Sequence, residues 1–364
     1  MFDSFLLQQS ATSMLDARDA YLAADRMRFN GRDLTAIWKG FASTGMGEKA
    51  ATTSTEDGQP KSDYTSPLAT EGTLRIKPVD GTAPVSGTLY VGRYEARVSP
   101  TADSDPGTTR GPSADIVPGT YAFVFQADGY GLTRFTATIT AGQTLVKTLN
   151  LTKNVASSSN GATVDGSSTS LNTVKLIDDT EATNWAGLSD GVSVDSAGQN
   201  PYVNVDLAGG RRTIDKVTVS AMLRPADPAQ DEDPNQPDDE SGSRFTALRQ
   251  FAIEVCTQSA TVDCSSTLPS RDAASPYHRI YTSPASAFNS VRPRPLAPDL
   301  LFRTFDVPNT AATHVRLVAL ENQCSGQAQY AGEQDDDPTN ATDCKEASTR
   351  DESVRAAELE VYLP

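Results

Sequence analysis

The sequence predicts a mainly β, multidomain protein: a short N-terminal α-helical segment, then a small β-sandwich, then a larger antiparallel β-sandwich. Three observations predict it. Helical periodicity is confined to residues 1–49, two-residue alternation of apolar and polar side chains takes over from about residue 71, and two polar stretches without periodicity break the chain. The expected boundaries are a helical segment at 1–49, a linker at 50–70, a sandwich at 71–153, a second linker at 154–170 and a second sandwich at 171–364.

The helical segment carries its own start and stop signals. Ser13 followed by Asp16 resembles a capping box, Met14, Ala17, Tyr21 and Ala24 recur on one face, and Asn30-Gly31 ends the helix. In the next helix Asp33 is the expected N-cap, and Leu34, Ile37, Trp38 and Phe41 fall at i, i+3, i+4 and i+7. The preceding "FDSFLLQQ" reads as the end of a further helix. A segment this short seldom buries enough surface to fold alone, so it calls for a partner.

The first sandwich is expected from "TLRIKP", "GTLYVGRY", "GTYAFVFQADGY", "RFTATIT" and "LVKTLNLT", with Tyr121, Phe123 and Phe125 on one face and Ala122 and Val124 on the other. The second is expected from "YVNVDL", "IDKVTVSAML", "FAIEVC", "HVRLVAL" and "AELEVYL". Two acidic, proline-containing insertions, "ADPAQDEDPNQPDDESGS" and "AGEQDDDPTNATDCKE", read as solvated surface loops.

A formal charge of −16 argues against nucleic acid as a partner, because neutralising phosphates requires a cationic surface. No apolar run approaches the roughly eighteen residues of a membrane span. The first residues lack the basic region and cleavage site of a signal peptide, so no export signal is expected within the chain. The four cysteines, Cys256, Cys264, Cys324 and Cys344, match no zinc-knuckle spacing, and the two histidines, His278 and His314, lie far apart. Cys256 with Cys264 and Cys324 with Cys344 is the preferred pairing among those four cysteines allow, and it implies an oxidising, extracellular setting.

The run "SMLDARDAYLAADRMRFNGRDLTAIWKGFASTGMG" resembles the extreme C-terminus of the catalytic domain of fungalysin-type secreted zinc metallopeptidases. Asp16, Ala17, Arg18, Asp19, Ala20, Ala24 and Asp25 match one family motif, and Trp38, Phe41, Ala42, Gly45 and Gly47 the other. The resemblance implies that these helices close a protease domain whose remainder, the upstream catalytic part, would be the partner. It implies zinc in that parent enzyme, but H-E-x-x-H is absent here, so no catalytic residue carries over and this polypeptide is expected to be inactive alone. Asp16, Arg18, Asp19 and Asp25 then read as a structural ion-pair set.

"VPGTYAFVFQADGY" is similar to prealbumin-like, or carboxypeptidase-regulatory-like, β-sandwiches, which implies a spacer. "LIDDTEATNWAG", "YVNVDLAGGRRTIDKVTV", "THVRLVAL" and "AAELEVYLP" together resemble discoidin, or coagulation-factor C-type, jelly rolls that also serve as carbohydrate-binding modules. Departures are Asp179 at the usual glycine and Tyr202 at the usual tryptophan. The resemblance implies a Ca²⁺ site of Asp178, Thr183, Glu358 and the Ala357 carbonyl, an all-oxygen set that suits a hard cation. The alternative is that Asp178 and Thr183 cap a turn and Glu358 is a solvated strand residue. Trp185 either stacks on a sugar or belongs to the core, and the core is favoured.

Arg224, Arg249 and Arg271 could face a ligand but read as ordinary surface arginines, and Asn340-Ala341-Thr342 is a formal glycosylation acceptor. The expected function is therefore the non-catalytic C-terminal portion of a secreted fungalysin-like metalloendopeptidase with a glycan- or surface-targeting module. A non-enzymatic extracellular adhesion or carbohydrate-binding protein is the alternative.

Overall fold

The computed structural model describes residues 2–55, 57, 60–95, 99–188, 200–223, 244–270, 272–289, 296–324 and 353–364. Both acidic insertions, Arg224, Arg271, Asn340 and Cys344 lie outside the described residues. The chain is mainly β, as its alternation predicts, and divides into two compact units: Met1–Ala127 with Leu132–Leu151, and Asp128–Gly131 with Thr152–Pro364.

The first unit opens with helices α1 (Phe2–Leu6), α2 (Met14–Phe29) and α3 (Leu34–Ser43). The capping box forms: the Ser13 hydroxyl accepts from the Asp16 N–H at 3.1 Å and the Asp16 carboxylate accepts from the Ser13 N–H at 2.9 Å. Asn30 ends α2 in the left-handed region at φ 56°. The buried face of α2 is Arg18, Leu22 and Asp25 with Ala20 and Ala24, while Met14 is exposed, so the apolar face read from sequence is turned only partly inward.

Asp33 is the N-cap of α3, as expected, but its side chain makes no capping hydrogen bond. Its carboxylate pairs with Arg32 at 2.9 Å, and the start of α3 is served instead by buried Asp25, whose Oδ2 accepts the Asp33 N–H at 3.2 Å. Asp25→Ala should therefore lower the stability of this unit by about 1 kcal/mol, the usual worth of a helix-capping side chain. Thermal unfolding of that variant, unchanged from wild type, would remove the assigned role.

Residues 50–70 were expected as a linker, yet Ala51 and Lys61 exchange backbone hydrogen bonds at 3.0 and 2.8 Å, and Gly47 donates to the Asp63 carbonyl at 2.8 Å. Tyr64 is buried and its carbonyl accepts the Val117 N–H at 2.9 Å, which fastens this stretch to the β region. Polar composition reported the exposed side chains and missed the backbone pairing. That β region holds β1 (Gly72–Asp80), β2 (Ala83–Pro84), β3 (Thr88–Val91), β4 (Ala102–Asp103), β5 (Ser113–Ile116), β6 (Gly119–Ala127), β7 (Gly131–Ile139) and β8 (Thr144–Asn150). One sheet runs β2-β1-β5 with β8 parallel to β1, the other β4-β3-β6-β7. Tyr121, Phe123 and Phe125 are buried on one face of β6, as alternation predicts, alongside Leu74, Leu89 and Ile116.

The second unit holds β9 (Thr163–Ser167), β10 (Ser170–Leu171), β11 (Trp185–Leu188), β12 (Tyr202–Asp206), β13 (Arg212–Ser220), β14 (Leu248–Cys256), β15 (His278–Thr282), α4 (Ala297–Leu300), β16 (Arg303–Ala312), β17 (His314–Asn322), β18 (Ser353–Ala356) and β19 (Glu358–Tyr362). A five-stranded sheet, β15-β14-β17-β12-β9, faces a three-stranded one, β16-β13-β19, and β10-β11-β18 forms a third. Among the described residues the strand pairings in this unit are antiparallel, apart from one isolated parallel bridge between Ala247 and Arg355. The core joins Phe251, Ile253, Val315 and Leu317 of the larger sheet to Val217, Val219, Leu359 and Val361 of the smaller. Part of the expected second linker belongs here too: Val155, Ala156 and Ala162 are core residues and β9 is an edge of the larger sheet.

Candidate functional site

Glu358 starts β19, wholly buried, with no well-formed hydrogen bond to either carboxylate oxygen and the Thr180 backbone as a weak neighbour. Burial first, then the nearby Asp178 charge, pushes its carboxyl well above the usual range. Asp178 is raised too, chiefly by burial. Its Oδ2 accepts from the Thr183 hydroxyl at 2.8 Å and lies 3.4 Å from Lys175 Nζ, while Oδ1 is buried without a partner. Ala357 is buried and donates its N–H to the Ser220 carbonyl at 2.8 Å.

Three desolvated carboxylate oxygens without a well-formed hydrogen bond are an arrangement that a hard cation would satisfy. Among the described residues no group of three or more His, Cys, Asp or Glu side chains is set to hold a metal, so a site here would use two carboxylates with hydroxyl and carbonyl oxygens. Neighbouring Asp179 is committed elsewhere. At φ 63° it takes the left-handed conformation that glycine adopts most readily, and its Oδ2 accepts from the Gly129 N–H at 2.8 Å and the Ser157 hydroxyl at 2.5 Å. Trp185 is fully buried in the core, which removes it from sugar stacking.

A second polar constellation lies on the face of the larger sheet turned away from the core. Strand register places Arg279 opposite Glu254, Glu254 opposite Arg316, and Arg316 opposite Asn204, a polar row across four strands. Glu254 Oε1 accepts from the Ser270 hydroxyl at 2.5 Å and lies 3.1 Å from Arg279 Nη2; Oε2 is 3.7 Å from Arg316 Nη1 and has no hydrogen bond. The Arg316 guanidinium is sandwiched between the rings of Tyr202 and Tyr277, at 4.4 and 3.7 Å from their centroids. It donates to Asn204 Oδ1 at 2.7 Å, to the Ser266 carbonyl at 2.5 Å and to the Leu268 carbonyl at 2.8 Å.

The Cys256–Cys264 disulfide, with the Tyr277 hydroxyl donating to the Cys264 carbonyl at 2.7 Å, fixes the chain that passes over this face. Gly166 lies close beside the row: a Cβ there would meet Asn204 Nδ2 at 2.7 Å and the Ser265 carbonyl at 3.2 Å, so a larger residue would have to displace the Asn204 amide that pairs with Arg316. Between sheet and overlying chain remains a cavity of about 380 Å³.

The helical segment is organised around Arg18. Its side chain is buried, donates to the Gly47 carbonyl at 2.6 Å, pairs with Asp19 at 2.8 Å, and lies 5.1 Å from the Trp38 ring centroid. Tyr21 meets Phe41 edge-on at 5.9 Å. The acidic residues expected to form one ion-pair set have separate duties: Asp16 caps α2, Asp25 serves α3, and Asp19 alone pairs with Arg18.

Residues 1–50 match the fungalysin metallopeptidase (M36) family. The match covers the helical segment built around Arg18 and stops before the first sandwich. No curated protein matches the chain. Among solved structures, the chain is similar to CpGH89CBM32-5 from Clostridium perfringens, determined with GalNAc-β-1,3-galactose, at 17% identity and TM-score 0.28 over 58% of this chain and 99% of that one. It is similar to the family 32 carbohydrate-binding module of Streptococcus pneumoniae EndoD at 12% identity and TM-score 0.29, over 58% of this chain and 100% of that one. The C. perfringens NanJ family 32 module, determined with galactose, is similar at 10% identity and TM-score 0.29, over 57% of this chain and 98% of that one.

The structure thus draws Asp178, Thr183 and Glu358 into one neighbourhood and forms the Cys256–Cys264 bond. Cys324 is also disulfide-bonded, and Cys344 lies outside the described residues. Arg249, read as a surface arginine, is instead buried, with Nη1 3.3 Å from Gln323 Oε1 and Nη2 3.1 Å from Asn289 Oδ1. His314 donates or accepts at Asp165 and at Thr313, 2.8 Å from each, whereas His278 lies exposed on β15. Sequence reasoning missed the row of Arg279, Glu254, Arg316 and Asn204. Its signal was a charge in the middle of two apolar strands, "FAIEVC" and "HVRLVAL".

Proposed function

We propose that this chain is the non-catalytic C-terminal portion of a secreted fungalysin-like zinc metalloendopeptidase. Its helical segment closes the catalytic domain, its first sandwich is a prealbumin-like spacer, and its second unit is a discoidin-like module that targets glycans or another surface polymer. The observation that carries this is the helical segment itself. Phe5, Leu6, Met14, Met27 and Phe29 are each more than half exposed there, at 55, 84, 73, 72 and 53%, around a tightly made Arg18 centre that matches the family.

Large apolar side chains clustered on one short segment suit a covered surface better than water, and the upstream catalytic part is the occupant proposed. The chain's own residues do not fit the zinc site of that family: H-E-x-x-H is absent and His314 is held by Asp165 and Thr313. Peptide hydrolysis is therefore assigned to the partner. The targeting role is supported by the discoidin-like stretches "YVNVDL", "HVRLVAL" and "AELEVYL", which lie on β12, β17 and β19, and a Ca²⁺ ion held by Asp178, Thr183, Glu358 and the Ala357 carbonyl would join the loop before β11 to β19.

Native mass spectrometry of material from the natural source, with zinc quantified in the same sample, tests the proposal. A complex holding a second polypeptide and zinc is expected. A lone, zinc-free chain of this length would instead favour the adhesion alternative, in which the exposed helical residues form some other interface.

A further inference from the structure

We infer that the pocket on the outer face of the five-stranded sheet is a ligand site that takes one neutral pyranose residue between Glu254 and Arg279. The ligand class rests on the glycan-targeting role proposed for this unit; the place rests on the pocket's own chemistry. At about 380 Å³ it lies within the range of small-molecule sites, and it is preformed, since the disulfide and the buried Arg316 hold the chain that roofs it.

Glu254 decides the ligand's charge. Its side chain is only 2% exposed, and Oε2 accepts no hydrogen bond although its sister oxygen is engaged by Ser270 and Arg279. A hydroxyl donated to Oε2 completes that carboxylate. Beside it Arg279, 41% exposed, turns Nε and Nη2 to Glu254, which leaves its remaining amine edge for a neighbouring ligand oxygen. Arg316 Nη1 lies 3.7 Å from Oε2, but each of its three nitrogens already donates, to Asn204 and to the Ser266 and Leu268 carbonyls. The polar pair left for a ligand is therefore Glu254 with Arg279: an anionic ligand would face the carboxylate, and a cationic one Arg279. A pair of adjacent sugar hydroxyls, each both donor and acceptor, answers the two at once. The ring of Tyr202 with Leu268 and Val318 supplies apolar wall for the C–H side of a pyranose.

The test uses the whole chain and a panel of methyl glycosides of galactose, glucose, mannose and N-acetylglucosamine, observed by saturation-transfer NMR, alongside immobilised oligosaccharides. Wild type is compared with Arg279→Ala and Thr267→Trp; Thr267 is exposed at the pocket's rim, so the second variant blocks the opening without entering the core. Weakening of about tenfold or more in both is expected, with unchanged thermal unfolding in Thr267→Trp, the variant that leaves both charged partners of Glu254 in place. Sugar binding that survives both substitutions overturns the pocket as the site and leaves the targeting role standing. Failure of wild type to bind any glycoside or oligosaccharide overturns the pocket's assignment and the glycan reading of the targeting role together, leaving another surface polymer as its target.

Discussion

Calcium should raise the unfolding temperature of the second unit, and should do so more at about pH 8 than at about pH 5. The sign follows from Glu358 and Asp178, whose carboxyls are both pushed up, chiefly by burial. A carboxyl raised on folding contributes stability in its protonated form: that contribution is complete below the unfolded-state value and is lost as pH rises through the folded-state value. Without a cation, folding at higher pH must therefore bury a bare charge or hold a proton against solution. A bound Ca²⁺ replaces that proton, so its effect grows as the proton becomes harder to keep. At a concentration about a hundred times its Kd, a ligand specific for the folded state adds about 2.7 kcal/mol.

Glu358→Gln separates this from a general salt effect. It keeps the shape and removes the charge, so the variant in EDTA should melt above wild type in EDTA at about pH 8 and should ignore added calcium. Wild-type melting curves that superimpose in EDTA and in calcium would end the assignment. So would a Glu358→Gln protein that still responds.

The fold was largely legible because alternation in the sequence follows the core: on β6 Tyr121, Phe123, Phe125 and Ala127 are buried while Thr120, Ala122 and Gln126 are less so, and on β17 Val315, Leu317 and Ala319 join the core. What escaped was anything decided by pairing between distant segments. Residues 50–70 look like linker because their side chains are polar, but the pairing of Ala51 with Lys61 is made by backbone, which composition does not register. The stretch before residue 171 reads as polar in the same way, yet β9 within it joins the larger sheet through Val203 and Asp206. Asp33 holds the N-cap position read from sequence, but its side chain turns to Arg32 and its N–H is taken by Asp25 from the preceding helix, a pairing that sequence spacing does not register. The polar row was hidden more deeply: Glu254 and Arg316 are far apart in sequence, and only the register of β14 on β17 makes them opposite partners.

That row gives the largest stability effect expected of a single substitution. Arg316→Met should lower the unfolding free energy of the second unit by about 3–5 kcal/mol, the cost of removing one partner from a buried ion pair. Methionine fills part of the space between Tyr202 and Tyr277 but cannot donate to Asn204, Ser266 or Leu268, and it leaves Glu254 with Arg279 as its remaining charged partner. Burial already pulls the Arg316 guanidinium below its ordinary value, so the arginine pays a desolvation cost that its partners must exceed. The double variant Glu254→Gln with Arg316→Met tells the two contributions apart. If the penalty comes mainly from a stranded carboxylate, the double variant will be less destabilised than the sum of the singles; if it comes from the lost carbonyl contacts, the two will add. Denaturant unfolding followed at the second unit's own transition measures both, and a single-variant loss below about 1 kcal/mol would mean that the ring sandwich and the roofing chain hold without the charge.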